Sequence, residues 1–550
     1  MPTLFERFAA KIAYHHARHV YSKFEADLHR SAAIQARTLK AVLDHLADGV
    51  YARQYGLRAV KTPADFRKAA PLVTYEELRP YIDRVAGGEI DALFRPGETI
   101  HMFATSSGTT ARQKLIPVTP EFVRQYRRGW NVFGLKMLGD HPTAILRPIL
   151  QVSGRLDERR APSGVPCGAI TGLLARTQKG IVRRFYVGHP DIADIPDAAA
   201  KYYTLMRFAA VRDVAFAITA NPATLIRLAQ VANDESEQLI RDVRDGTLSA
   251  DVVTDCAPRE RLAALLRPDP RRARELDTLR AKHNSLRPRD IWKLVFLACW
   301  TGGSMGYYRQ RLAEWWGDLP VRDIGLLASE GRVTLPLLDE TPAGVLDIAS
   351  AFFEFIPADQ WDKPDAETLT AEELEAGQDY TVVLSNYAGL IRYRLDDVVR
   401  VRGFIHATPI LEFLHRAGRI ASVAGEKLTE SQVVQAVRSA ATNLGLREFD
   451  FLVAPRWADP PFYQMYCTAP ATPELAKQVD NALSEMNEEY ASRRNSIRLN
   501  KLSIINLSPT QFQQIDRTLT LQRGSTTEQY KRPCLLTDFG DDDKLFSRLV

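Results

Sequence analysis

The 550-residue sequence is poor in cysteine. Its five cysteines, Cys167, Cys256, Cys299, Cys467 and Cys534, are scattered, odd in number and form no CxxC pair. That spacing argues against a disulfide frame or structural zinc and suits a reducing compartment. Long hydrophobic runs are missing as well. The longest, near Leu294–Trp300, falls far short of the roughly 20 residues a membrane span needs. The N-terminus, MPTLFERFAAKIAYHHARHVYSKFEADLHR, is broken by charges and has no signal-peptide core, so the expectation is a soluble cytoplasmic protein with no membrane partner. Nor is there a large excess of one charge. With 72 basic against 67 acidic residues the formal charge is +5, too slight at this length to point to nucleic acid. No repeat, low-complexity tract or Walker A loop (GxxxxGK[ST]) stands out.

What is present is ordinary globular composition, 45% hydrophobic and 25% charged. The length predicts three or four structural units of roughly 100–200 residues each. Leu4, Phe5, Phe8, Ile12, Val20 and Phe24 fall mostly three or four apart and predict an N-terminal helix. His15 and His19 stand i,i+4 within it, but with no third ligand in view they read as a helix face. Short helices follow over 62–90, with a capping signal at Thr74-Tyr75-Glu76-Glu77. A strand over His101–Thr105 opens a long mixed α/β region. Strand-length segments are expected at Lys293–Trp300, Val321–Leu327, Tyr380–Leu384, Leu390–Arg394 and Val398–Val401, and a helix at Tyr307–Trp316. The Arg-rich stretch Pro268–Lys282 reads as a solvated helix or connector. From about Ser422 the pattern becomes a compact α+β unit, with helices at Glu430–Leu444 and Pro473–Arg493 and strands at Glu448–Val453, Phe462–Cys467 and Leu499–Leu507. A boundary is placed near Arg416–Ser422.

Four constellations carry chemistry. Thr105-Ser106-Ser107-Gly108-Thr109-Thr110, followed by Lys114, can wrap phosphate oxygens with backbone N–H and side-chain O–H groups. Gly325-Leu326-Leu327-Ala328-Ser329-Glu330-Gly331 is an apolar strand ending in Ser-Glu, where a carboxylate suits magnesium beside a nucleotide. Asp396-Asp397, between two apolar runs of the stretch 387–400, offers acceptors for ribose hydroxyls. Gly425-Glu426-Lys427-Leu428, just inside the tail unit, places a lysine that can swing onto a phosphate. Taken singly, each has a plainer reading: a polar loop, a solvated glutamate, a β-turn and a surface lysine. A fifth pattern competes. Gly302-Gly303-Ser304-Met305-Gly306 matches G-x-S-x-G between a strand-like and a helix-like segment, with His406, His415, Asp396 and Asp397 downstream, as a serine esterase requires. It leaves the hydroxyl-rich loop and the tail unit unexplained.

In order, TSSGTT…K, the strand ending in Ser-Glu, YRxxD and the late lysine resemble adenylate-forming enzymes. More closely, the chain resembles the auxin-responsive (Gretchen Hagen-type) acyl-acid amido synthetases, as a bacterial-type member. Phe66–Arg84, Asn221–Leu225, Phe353–Pro357, Ser385–Leu390 and Gln529–Pro533 look like this family too, so the resemblance spans about residues 35–535. It implies an α/β adenylate-forming fold: a large N-terminal domain of layered β-sheets and helices over 1–418, and a small, mobile α+β C-terminal domain over 422–550. It also assigns roles. Ser106, Ser107, Gly108, Thr109 and Thr110 match the phosphate loop. Ser329 and Glu330 match the nucleotide site, with Glu330 helping to hold magnesium. Asp397 matches the ribose-binding aspartate of Tyr-Arg-x-Gly-Asp, and Arg416 the basic residue that follows that motif. Lys427 matches the small-domain catalytic lysine, and Lys531 looks like a second one. Thr301, Gly302 and Gly303 resemble the segment by the adenine and acyl pockets, which makes the G-x-S-x-G match a coincidence.

Two departures stand out. Leu326 occupies the place of the tyrosine in Tyr-Ala-Ser-Ser-Glu, so the ring that would stack on adenine is missing. Asp396 replaces the motif's glycine and adds a carboxylate near the phosphates. The activity implied is ATP- and Mg2+-dependent conversion of a carboxylic acid to its acyl-adenylate. The acyl group then passes to an amine, expected to be an amino acid, on a monomer or dimer. A thioester-forming ligase using coenzyme A, a non-catalytic binding protein and the Ser304 esterase are the alternatives.

Overall fold

The computed structural model describes residues 4–106, 114–254, 257–302, 309–361, 363, 365–417, 420–424, 426, 428–447, 449–495, 497, 499–522 and 533–546. The N-terminal periodicity becomes two helices, Leu4–Leu28 and Ser31–Leu46. Thr74 and Glu77 form a capping box at the head of helix Tyr75–Ala86, satisfying backbone N–H groups that the first turn leaves open. Thr119 likewise caps helix Pro120–Asp140, and its hydroxyl donates to the carbonyl of Tyr387 at 2.9 Å, tying the helix to a distant turn.

Three sheets build the large part of the molecule. In the first, Met102–Ser106 pairs antiparallel with Lys114–Val118 and parallel with Pro166–Gly168, and Arg159–Arg160 forms the far edge. The second is a parallel sheet of four short strands in sequence order, Ile149–Gln151, Phe216–Ile218, Phe296–Ala298 and Val321–Arg322. Helices occupy the crossovers, including Ala198–Ala210, Pro222–Asp234 and Arg309–Trp316, as parallel pairing demands. The third is antiparallel, ordered Thr334–Leu335, Gly344–Leu346, Thr408–Arg416, Tyr393–Ile405, Asp379–Ser385 and Phe352–Pro357. One apolar core, running from Phe24 to Leu411, joins these layers.

The C-terminal part has its own apolar core, from Ala421 to Leu535. Phe451–Arg456 pairs antiparallel with Phe462–Cys467, which pairs parallel with Ser503–Asn506. Helices Glu430–Asn443, Pro473–Met486 and Glu488–Asn495 complete it, with Pro509–Gln522 beyond. No helix of the described residues is long and apolar enough to cross a membrane.

Three sequence expectations change, and a fourth is met. Leu390–Arg394 and Val398–Val401 are not neighbouring strands but lie on one course whose strand, Tyr393–Ile405, has 13 residues. Asp396 takes a φ of +61° inside it, and the ladder to Asp379–Ser385 shifts register between Thr381 and Val383. That is a bulge, which bends a strand without ending it. The expected Val321–Leu327 strand is broken, because Gly325 has a φ of +84° and a Cβ there would lie 2.4 Å from the Thr334 carbonyl oxygen. The predicted helix Pro473–Arg493 is two helices. Asn487 ends the first in an extended conformation and accepts a hydrogen bond from Tyr490 N–H at the start of the second. Pro268–Lys282 does form a helix, Pro270–His283, with Ala273 and Leu276 buried and its Arg-rich remainder largely exposed.

Arg392 sits just before the long strand with a φ of +45°. Its guanidinium holds the buried Glu354 carboxylate at 3.0 and 3.1 Å and donates to Thr368 Oγ1 and to the carbonyls of Arg67 and Ala70. Removing one partner of a buried pair strands the other charge, so Arg392→Met is expected to cost about 3–5 kcal/mol. Thermal unfolding should show a clear drop in midpoint, which the surface change Arg271→Met should not produce.

Candidate active site

Of the sequence-predicted residues, Ser106, Ser329 and Glu330 come together around the end of strand Met102–Ser106. Ser106 pairs with Lys114, so these two residues close the hairpin that carries the hydroxyl-rich loop. Ser106 is described by its backbone only; Ser107, Gly108, Thr109 and Thr110 lie outside the described residues. Leu327–Ala328 and Gly331–Arg332 form a second tight hairpin, with Ser329 and Glu330 as its turn. The Ser329 hydroxyl donates to the Thr105 carbonyl at 2.9 Å, joining this turn to the start of the loop. Glu330 is only 4% exposed. Its carbonyl accepts from Asn386 Nδ2 at 2.6 Å, and its Oε1 accepts from the Tyr393 hydroxyl at 3.3 Å.

Lys114 completes the constellation. Its Nζ donates to Tyr393 Oη at 3.0 Å and lies 5.3 and 5.7 Å from the ring centroids of Tyr75 and Tyr393, within cation–π range. The Tyr75 hydroxyl bonds to both the N–H and the carbonyl of Leu115. Burial pushes the Tyr75 phenol up to about 12, partly countered by its Leu115 contact and raised further by Glu330. Val73 fastens the two tyrosine segments together, its N–H donating to the Arg392 carbonyl and its carbonyl accepting from Arg394 N–H.

Asp397 and Arg416 face each other as a residue pair on adjacent strands; of Arg416 only the backbone is described. Beside them, the left-handed conformation of Asp396 is one that glycine adopts at no steric cost and that Asp tolerates better than most L-residues. The motif's glycine would take this same conformation without strain. Arg394 Nε lies 3.9 Å from Asp396 Oδ1, so the added charge has a cation beside it.

Thr301 and Gly302 follow the carboxyl end of strand Phe296–Ala298, where ligands gather in α/β sheets. Asp323, fully buried one residue past strand Val321–Arg322, accepts from Thr301 N–H, Thr301 Oγ1 and Gly325 N–H, each at 2.6 Å. Its charge adds to burial in raising the Cys299 thiol pKa. Leu326 is buried in the core with its N–H bonded to Thr334 Oγ1. Gly303 and Ser304 lie outside the described residues, as do Lys427 and Lys531. Next to Lys427, Glu426 is fully buried; it accepts from Val423 N–H at 2.8 Å, Ala424 N–H at 2.7 Å and the Tyr463 hydroxyl. Burial and this carboxylate raise the Tyr463 phenol well above its usual range.

Sequence reasoning gave no role to Tyr393, Tyr75, Asp323 or Glu426. Tyr393 and Glu426 lie inside quoted motifs, and each has a group that must find a partner once buried; that was the available signal. Tyr75 lies within a quoted capping signal that gave it no role, and Asp323 carried no signal beyond residue type. Among the described residues no group of three or more His, Cys, Asp or Glu side chains is placed to cage a metal ion.

Comparison with known proteins adds to this geometry. Residues 20–321 match a family profile described as the GH3 family N-terminal domain, 344–416 the GH3 family central domain and 431–539 the GH3 family C-terminal domain. The chain is 26% identical over 542 residues to jasmonoyl–L-amino acid synthetase JAR4 of Nicotiana attenuata, covering 94% of this chain and 92% of that protein. It is 24% identical over 561 residues to indole-3-acetic acid-amido synthetase GH3.3 of Arabidopsis thaliana, covering 94% and 91%. The structure of the GH3.15 acyl acid amido synthetase superposes with a TM-score of 0.82 at 24% identity, covering 96% of this chain and 95% of that one. The likeness shows that the chain shares the mixed α/β fold of that structure.

Alkaline stability tests the Tyr75 environment. A phenol raised from 10.0 to about 12 keeps its proton in the folded state after the unfolded chain has lost it. Its stabilisation is therefore complete below pH 10 and is lost as pH rises toward 12. Tyr75→Phe should make the fall of stability between pH 10 and 12 shallower, measured by urea unfolding across that range.

Proposed function

The chain belongs to the GH3 family, and on that premise we propose that it is an ATP-dependent acyl-acid amido synthetase that joins a carboxylic acid to an amino acid. The carboxylate of the acid attacks the α-phosphorus of ATP. Pyrophosphate leaves with the P–O bonding pair, and an acyl-adenylate forms. The amine nitrogen then attacks the acyl carbon, AMP leaves and the amine loses a proton. The observation that carries this reading is the convergence of Thr105, Lys114, Ser329, Glu330 and Tyr393, from three separate chain segments, at the mouth of one hydroxyl-rich loop.

In this mechanism Lys114 and the backbone of 106–110 offset negative charge growing on the phosphates, the preorganised electrostatic role that dominates such transfers. Asp397 accepts from the ribose hydroxyls. Lys427, Lys531 and Arg416 are assigned to the same nucleotide by the family motif. A magnesium ion fits the donor set, since Glu330 offers one carboxylate and Mg2+ takes the rest of its shell from phosphates and water. Held there, it would neutralise charge on the phosphate oxygens. The separate core of the C-terminal part supports a small domain over 422–550 that moves between the two half-reactions against a large domain over 1–418 and shields the adenylate from water. Four free, buried cysteines, Cys167, Cys299, Cys467 and Cys534, are in keeping with a cytoplasmic enzyme. A bacterial-type member, acting as a monomer or dimer, is part of the same reading.

Pyrophosphate release from Mg·ATP, across a panel of aryl, indolyl and fatty acids with and without pooled amino acids, tests the proposal. Release that requires one acid, with amide product only when amino acids are added, is the expected result. Release that coenzyme A stimulates in place of amino acids would overturn it. Glu330→Gln should lower acid-dependent release by about 100-fold, while Asp397→Asn should mainly raise the KM for ATP.

A further inference from the structure

The geometry points to Tyr393 as a positioning residue whose hydroxyl holds Lys114 and Glu330 apart as two independent charges. This rests on the proposed function, in which the carboxylate faces a cation and the ammonium faces phosphate. Tyr393 is fully buried. Its hydroxyl accepts from Lys114 Nζ at 3.0 Å and donates to Glu330 Oε1 at 3.3 Å. A phenol is suited to this because it donates and accepts at once, whereas ammonium only donates and carboxylate only accepts.

In a poorly solvated setting, an ammonium and a carboxylate with nothing between them close into a direct ion pair. Such a pair would spend the Glu330 charge on Lys114, leaving less for a divalent cation and less of Lys114 for a phosphate. The surroundings keep the hydroxyl in place. Arg392, locked onto Glu354, precedes Tyr393; Val73 bridges the backbone on both sides of it. The Tyr75 and Tyr393 rings cradle the ammonium, and the Tyr75 hydroxyl pins the adjoining Leu115 backbone. Tyr393→Phe would keep both rings and remove only the wedge.

The test is the Mg2+ dependence of ATP binding, read as the ATP-induced rise in unfolding temperature at fixed ATP and increasing Mg2+, so it does not depend on turnover. Tyr393→Phe is expected to raise the Mg2+ concentration for half-maximal effect by about tenfold. Adding Lys114→Met in the same chain is expected to bring that concentration back toward the wild-type value, because the competing ammonium is gone. A merely structural role would lower the unfolding temperature without ATP and would not be reversed by the second substitution. An unchanged half-maximal concentration in Tyr393→Phe, or a rise that persists in the double variant, overturns the inference and leaves the ligase reading standing. A wild-type protein that shows no Mg2+-dependent stabilisation by ATP overturns both.

Discussion

A carboxylate removed from water keeps its charge only if hydrogen-bond donors or cations replace the solvent it has lost. That constraint governs the centre of this molecule. Glu330 sits at the tip of a two-residue turn and is nearly inaccessible, so the turn is useful only where a donor waits for it. The donor is the Tyr393 hydroxyl, which belongs to a different sheet. Everything that fixes the long strand Tyr393–Ile405 therefore also fixes Glu330: the antiparallel neighbours on both sides, the Arg392–Glu354 clamp at its start and the Val73 bridge.

The same device recurs at other buried acids. Asp323 gathers Thr301 and Gly325 beyond the ends of two parallel strands. Glu426 gathers Val423 and Ala424 at the start of the C-terminal core, and Asn487 holds the Glu426 carbonyl. Each acid accepts from backbone N–H groups or hydroxyls. Such arrangements orient a chain segment. The turn that carries Glu330 is thus anchored by Tyr393, the first residue of a second motif, and Thr301 by Asp323, which lies outside the motifs.

Much of this was legible beforehand, because it rests on local rules. The Thr74 capping box, the strand at Phe462–Cys467 and the strand leading into the hydroxyl-rich loop follow from residue type and spacing. The Asp396-Asp397 pair, expected between two strand runs, lies in a bulged strand rather than a turn, since one left-handed residue can bend a strand without ending it. Val321–Leu327 misled because its apolar residues hide Gly325, whose left-handed backbone passes too close to the Thr334 carbonyl on a later strand for a side chain. Least legible were contacts across sequence. Lys114 and Tyr393 are 279 positions apart, and no periodicity announces that a phenol on one sheet will stand between charges on two hairpins.

The central claim is that the acid is activated on the α-phosphate of ATP before the amine attacks. An acid identified by pyrophosphate release, carrying 18O in its carboxylate, tests this directly in one complete turnover with an amino acid. The account predicts one labelled oxygen in AMP and none in pyrophosphate. Label in inorganic phosphate, with ADP as the nucleotide product, would show activation at the γ-phosphate and contradict it.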